Sequence, residues 1–153
     1  MTGLLFDCDE AVAQFLFRSY NQPHFKYDRA IGLLIDGKLQ GAVIFHYFNG
    51  SNVELSYYGK STLTAGVVRT LARFAITTFN PSRATIVTSR RNKRYIKSFQ
   101  RLGFRLEGTQ HCYYGARDCN RNTGVRFVMF RDRINVIAKL PERPKSCITI
   151  SSS

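Results

Sequence analysis

Asn92-Lys-Arg-Tyr-Ile-Lys-Ser-Phe-Gln-Arg-Leu-Gly-Phe104-Arg-Leu-Glu-Gly108 is the stretch on which the fold turns. Ile96, Phe99 and Leu102 recur at helical spacing, while Lys93, Arg94, Lys97 and Arg101 fall on the other side, so the segment reads as an amphipathic helix. Asn92 belongs to the best residue types for an N-cap. Gly103 sits where a left-handed C-terminal cap belongs. The β-branched run Ala84-Thr-Ile-Val-Thr-Ser89 before it fits a buried strand, and Phe104–Glu107 after it reads as another strand. Strand, helix, strand is the expected unit.

Upstream, Thr64–Phe79 places Val67, Leu71, Ala75 and Phe79 on one stripe, with Val68 and Ala72 beside it and Arg69 and Arg73 off it. That is a helix packing on a sheet. Before it come Ala30–Ile35, the turn signal Asp36-Gly37, the returning strand Lys38–Phe48, the turn Asn49-Gly50 and the strand Asn52–Tyr58, an antiparallel meander. Asp9–Tyr20 reads as a first helix with acids in its first turn, broken by Asn21-Gln-Pro-His24. Downstream, Gln110–Tyr114 and Gly124–Arg131 read as strands, with a polar loop over Arg117–Thr123. The expected class is α+β: a mixed sheet in which a meander is followed by β-α-β, with helices on both faces. One domain over residues 1–133 and an extended tail over 134–153, with two Pro and a run of Ser at its end, complete the layout.

Composition narrows the classes. Of 153 residues, 44% are apolar, with 12 Phe and 8 Tyr, which excludes a disordered chain. The longest apolar stretches, Ala42–Phe45 and Phe74–Ile76, fall far below the roughly 18 residues a spanning helix needs. The first ten residues carry no basic segment of a signal peptide, so the cytoplasm is the expected compartment. Cys8, Cys112, Cys119 and Cys147 form no Cys-x-x-Cys pair, and reduced thiols are expected. His111, Cys112 and Cys119 lack a usual zinc spacing and a fourth ligand, so no metal site is expected. The formal net charge of +13 favours a polyanionic partner. Between Arg83 and Arg105 there are eight basic residues and no acid, with Arg94, Lys97 and Arg101 as the row on one helical face.

The opening segment resembles the last motif of the GNAT superfamily, the acyl-CoA-dependent N-acyltransferases. In that motif an Asn at a strand end opens a helix closing with Leu-Gly-Phe, often followed by Glu-Gly. Asn92, Leu102, Gly103, Phe104, Glu107 and Gly108 match it in spacing. The likeness covers about residues 28–130. Ala30–Phe48 resembles the hairpin of that fold, Val53–Tyr57 the strand that splays to admit the acyl-thioester, and Thr64–Phe79 the helix whose N-terminus holds a pyrophosphate. Small proteins of tailed phages look nearest, sharing the Arg29-Ala-Ile-Gly32 opening and the Asp-Gly hairpin.

The resemblance implies acetyl-CoA as acyl donor and an amine of a protein or small molecule as acceptor. The cofactor contacts it implies are Leu55, Tyr57, Thr64, Ala65, Gly66, Val67, Asn92 and Tyr95. Physical chemistry agrees with an anion site where Gly59–Gly66 enters a helix, because free N–H groups and the helix dipole favour negative charge there. The loop departs from the family's glycine-rich pattern, with Gly66 alone recognisable.

Transfer needs a base to neutralise the amine. Glu54 stands where the family often places one, and His46 on the neighbouring strand is the second candidate. Many members carry a Tyr seven residues after the Asn as the acid, whereas this chain has Phe99. Tyr95, Tyr57, Tyr113 and Tyr114 are the substitutes, or the thiolate leaves unaided. Two other readings stay open: a nucleic-acid-binding or DNA-modifying relative using the basic row, and a non-catalytic assembly component of a phage particle.

Overall fold

Asp36 and Gly37 both take positive φ, at 50° and 75°, the conformation of a tight hairpin turn. They join β2 (Arg29–Ile35) to β3 (Lys38–His46), and β4 (Asn52–Tyr58) follows to complete the meander. The computed structural model describes residues 1–21, 26–60, 63–139 and 148–151. The other elements are β1 (Thr2–Phe6), α1 (Asp9–Tyr20), α2 (Ala65–Thr78), β5 (Arg83–Ser89), α3 (Lys93–Leu102), β6 (Arg105–Gln110), β7 (Gly124–Phe130), α4 (Arg131–Lys139) and β8 (Ile148–Ser151). They build one sheet in the order β6-β7-β5-β4-β3-β2-β1-β8, with β4–β5 and β1–β8 parallel and the other pairs antiparallel. The mixed sheet and the meander are as expected.

Strand alternation assigns the two faces. Ala30, Ala42 and Ile44 pack under Val12 and Leu16 of α1. Their neighbours Ile31, Val43 and Phe45 point the other way and pack with Val67 and Leu71 of α2 and Ile134 and Ile137 of α4. Further along that second face, Ile86, Val125 and Phe127 receive Phe99 of α3. The helix α3 ends as its sequence requires: Gly103 takes φ 104°, and Phe104 N–H bonds back to the Phe99 carbonyl at 3.0 Å. The Arg133 guanidinium closes over the same end and donates to the Leu102 carbonyl at 3.1 Å.

Four expectations are corrected. Residues 134–139 belong to α4 instead of an extended tail, because Ile134, Ile137 and Ala138 form a buried helical stripe before Pro141. The Pro and Ser content that marked a tail lies beyond it. Residues 140–147 and 152–153 of that tail, like 22–25 after α1, lie outside the described residues. Gln110–Tyr114 does not form a strand: β6 ends at Gln110 and Cys112 turns at φ 56°. Cys112 and Cys119 are joined as a disulfide instead of staying reduced, since the turn brings their Cα atoms to 4.2 Å. Arg69, off the apolar stripe of α2, is nonetheless buried. Among the described residues no helix is long and apolar enough to cross a membrane.

Candidate active site

The sheet opens at its middle. β4 and β5 pair only from Asn52–Arg83 to Leu55–Ile86. Beyond that point β4 stays with β3 as far as Tyr58, and β5 stays with β7 as far as Ser89. Two parallel strands drawn apart by their outer neighbours leave a wedge whose inner edges lack a strand partner, and backbone groups at such an edge need other partners. A cleft occupies the wedge, lined by His46, Glu54, Tyr57, Thr88, Asn92 and Tyr95 among others.

Glu54, Ser56 and Tyr58 lie on the α1 side of β4, and Leu55 and Tyr57 on the other, as alternation predicts. His46 is the direct cross-strand partner of Glu54. Its Nε2 lies 2.9 Å from Ser56 Oγ. Burial pulls the His46 pKa below its ordinary value, against the opposing charges of Glu54 and Asp28, so the imidazole is neutral at pH 7. Glu54 Oε1 accepts a hydrogen bond from Arg126 Nη2 at 2.8 Å. That ion pair is mostly shielded, with the Glu54 side chain 18% exposed.

Asn92 occupies the N-cap position of α3 but makes no side-chain cap. Its Nδ2 instead donates to Thr88 Oγ1 at 3.1 Å, tying the helix entrance to the end of β5. Tyr95, one turn further, donates its hydroxyl to the Gly59 carbonyl at 2.6 Å. Phe99 is buried against Tyr95, Phe104 and Phe127. Tyr113 and Tyr114 reach the cleft from the disulfide-closed turn. Burial raises the pKa of Tyr58 and Tyr113 and pushes Tyr114 up to about 12.

On the helical side, Leu63, Ala65, Tyr57, Tyr95 and Arg101 line a second hollow that shares the Tyr57 and Tyr95 rings with the wedge, so the α2 entrance and α3 converge. Thr64 caps α2, its Oγ1 accepting from the Val67 N–H at 3.3 Å. Ala65 is exposed, whereas Gly66 and Val67 are buried, Val67 as a core residue at 0% exposure. The Val67 side chain belongs to the apolar stripe of α2. Ser61 and Thr62 of the same loop lie outside the described residues. Arg94, Lys97 and Arg101 are all exposed on the outer face of α3.

The structure brings His46, Glu54, Leu55, Tyr57, Asn92 and Tyr95 together around one cleft. Sequence reading missed Arg126, Ser56, Tyr58 and Thr88 as participants. A signal existed for Arg126, the one charge inside the apolar run Val125-Arg-Phe-Val-Met-Phe130. Its partner lies 72 residues away, so only the strand order joins them.

No family model matches the chain, and no curated protein sequence does. Solved structures do. The chain is similar to a probable acetyltransferase at 21% identity and a TM-score of 0.56, over 68% of this chain and 61% of that one. An IAA acetyltransferase from Bacillus cereus matches at 14% identity and a TM-score of 0.64, over 85% and 99%. A Bacillus subtilis acetyltransferase solved in complex with CoA matches at 13% and 0.60, again over 85% and 99%. The chain spans about six tenths of the length of the first of these. At such identities the likeness establishes a GNAT-type acetyltransferase fold.

Proposed function

We propose that the chain is an acetyl-CoA-dependent N-acetyltransferase acting on an amine. The observation that carries this reading is the wedge between β4 and β5, with a neutral imidazole on one side and a capped helix entrance on the other. The donor set fits the cofactor. An open strand edge at Tyr57 suits an amide-bearing arm, the α2 entrance, with Thr64 half-buried and Ala65 exposed, suits a pyrophosphate, and Lys60 and Arg101 supply positive charge. Leu55, Tyr57, Asn92 and Tyr95 would line the arm's path. Acetyl-CoA supplies an activated acyl group on a thioester.

The chain's own residues handle protons and orientation. Glu54, with one oxygen held by Arg126, is the weaker of the two base candidates because that oxygen is already occupied. His46 is the base: neutral, half-buried, and oriented by Ser56. Glu54 faces it and favours the imidazolium formed when His46 takes the amine's proton. No tyrosine suits the acid role. A phenol is ordinarily less acidic than a thiol, at about 10 against about 8.5, and burial pushes Tyr114 further, to about 12. The thiolate therefore leaves without a protein acid, and Tyr58, Tyr113 and Tyr114 act as hydrogen-bond donors that wall the acceptor side.

Calorimetry with acetyl-CoA, then thiol release with simple amines, peptides and DNA, tests the reading. His46→Gln should lower transfer by roughly 10²–10⁴-fold with acetyl-CoA affinity nearly unchanged. No acetyl-CoA binding by the parent would sink the proposal.

A second reading rests on a separate observation. Arg90, Arg91, Lys93, Arg94, Lys97 and Arg101 are all exposed, and no acid stands between Arg83 and Arg105. This face suits a nucleic acid, either as acceptor carrier or as partner in a phage assembly, a setting supported by the Arg29–Gly32 and Asp36-Gly37 signatures.

A further inference from the structure

Three rings, those of Tyr57, Tyr95 and Phe99, border both the strand-side cleft and the helix-side hollow. They form a partition between the two halves of the wedge. Tyr57 and Tyr95 meet edge to face with centroids 5.8 Å apart, and Tyr95 stacks on Phe99 at 6.3 Å. The partition is fastened at one point. The Tyr95 hydroxyl, carried by α3, donates to the carbonyl of Gly59 just past the end of β4, at 2.6 Å. The bond thus joins the two walls that the diverging strands hold apart.

Gly59 is suited to this place. A Cβ at that position would run into the Tyr57 hydroxyl, so glycine lets the backbone come this close to the Tyr57 ring. The other end of the partition is firm: Phe99 is buried, and α3 is locked by the Gly103 cap. Tyr57 and Tyr95 are both half-buried, and Tyr95 is the one whose hydroxyl crosses to the opposite wall.

We propose that the Tyr95–Gly59 hydrogen bond is a latch that closes the wedge, and that Tyr95 must swing aside before an acyl-thioester arm can pass between α3 and β4. This rests on the acetyl-CoA reading above, and it deepens that reading by making access to the site a two-state property of one side chain. The ligand breaks a neutral hydrogen bond to enter, so the apparent affinity of the parent is reduced by the fraction of latched molecules. Net neutral hydrogen bonds are of a strength that corresponds to about 2- to 10-fold in an equilibrium.

The test uses the full chain as parent, Tyr95→Phe and Tyr95→Ala. Tyr95→Phe keeps the ring and its stacking and removes only the donor. Acetyl-CoA should bind it about 2- to 10-fold more tightly, with the gain in the association rate measured by stopped flow. Without any ligand, amide hydrogen exchange in the peptide following Tyr58 should be faster in Tyr95→Phe than in the parent. Tyr95→Ala, which removes the partition as well, should bind at least as fast as Tyr95→Phe.

Unchanged exchange around Gly59 overturns the latch whatever the cofactor does. Equal or weaker acetyl-CoA binding by Tyr95→Phe, with the parent binding normally, overturns it too, makes Tyr95 a plain contact, and leaves the acetyltransferase reading standing. Binding by neither parent nor variants fails that reading, and the latch with it, since the gate would have nothing to admit.

Discussion

At the residue scale, the proposed chemistry depends on how one histidine is placed. His46 sits opposite Glu54, beside Ser56, with burial lowering its pKa below the ordinary value of about 6.5 and Glu54 and Asp28 opposing that shift. As the proposed base, His46 would work in its neutral form, so kcat/KM should rise as pH increases through the folded pKa and flatten above about 6.5. Glu54→Gln removes a charge that favours the imidazolium, so the same limb should move to still lower pH. An unmoved limb would show that some other group titrates. The acceptor amine adds a separate alkaline limb that both proteins share. Stability carries the same sign. The unfolded chain binds the proton at higher pH than the folded chain does, so stability is full above about 6.5 and is lost as pH falls through the depressed folded value. His46→Gln should flatten that part of a melting-temperature profile. Asn92 shows how a residue type is read correctly while its bond is not: the N-cap position was legible, but its amide reaches Thr88, which only the adjacency of β5 and α3 reveals.

At the element scale, the periodic segments are those whose sequence spoke clearly. The α3 segment carries its start, its apolar side and its Gly103 stop in consecutive residues, and all of these appear in the structure. Its outer face carries a row of exposed cations. Reversing Arg94, Lys97 and Arg101 to Glu should abolish DNA retention at low salt, and parent binding should fall steeply with added salt as counterions are released. DNA affinity indifferent to both changes would leave that face as solvated surface. Gln110–Tyr114 holds two Tyr and a Cys, residue types a strand accepts, and so resembles a strand in sequence. The Cys112–Cys119 closure and the positive φ at Cys112 take it out of the sheet and send Tyr113 and Tyr114 to the cleft. A disulfide between cysteines seven positions apart is a pairing that spacing without a partner geometry does not disclose.

At the scale of the whole molecule, α4 closes the core. Ile134 and Ile137 are 3% and 5% exposed and pack with α2 and the sheet. Ile137→Ala should therefore cost about 2–5 kcal/mol in chemical denaturation, as buried large-to-small changes do, whereas a residue of a solvated tail would cost almost nothing. A loss under about 0.5 kcal/mol would contradict the docked helix. The sequence by itself determined the local grammar: the Asp36-Gly37 hairpin, the alternation that puts Glu54 and Leu55 on opposite faces, the apolar stripe of α2 and the capped α3. These follow from backbone sterics and side-chain period, which act over a few residues. The tertiary structure alone decided which strands separate, and so where a cleft exists. It also decided that Glu54 meets Arg126 across the intervening β5, that Tyr95 fastens to Gly59, and that Ile134, Ile137 and Ala138 are core. Those contacts join groups far apart in the chain, and their energy depends on burial and distance, quantities that no run of neighbouring residues encodes.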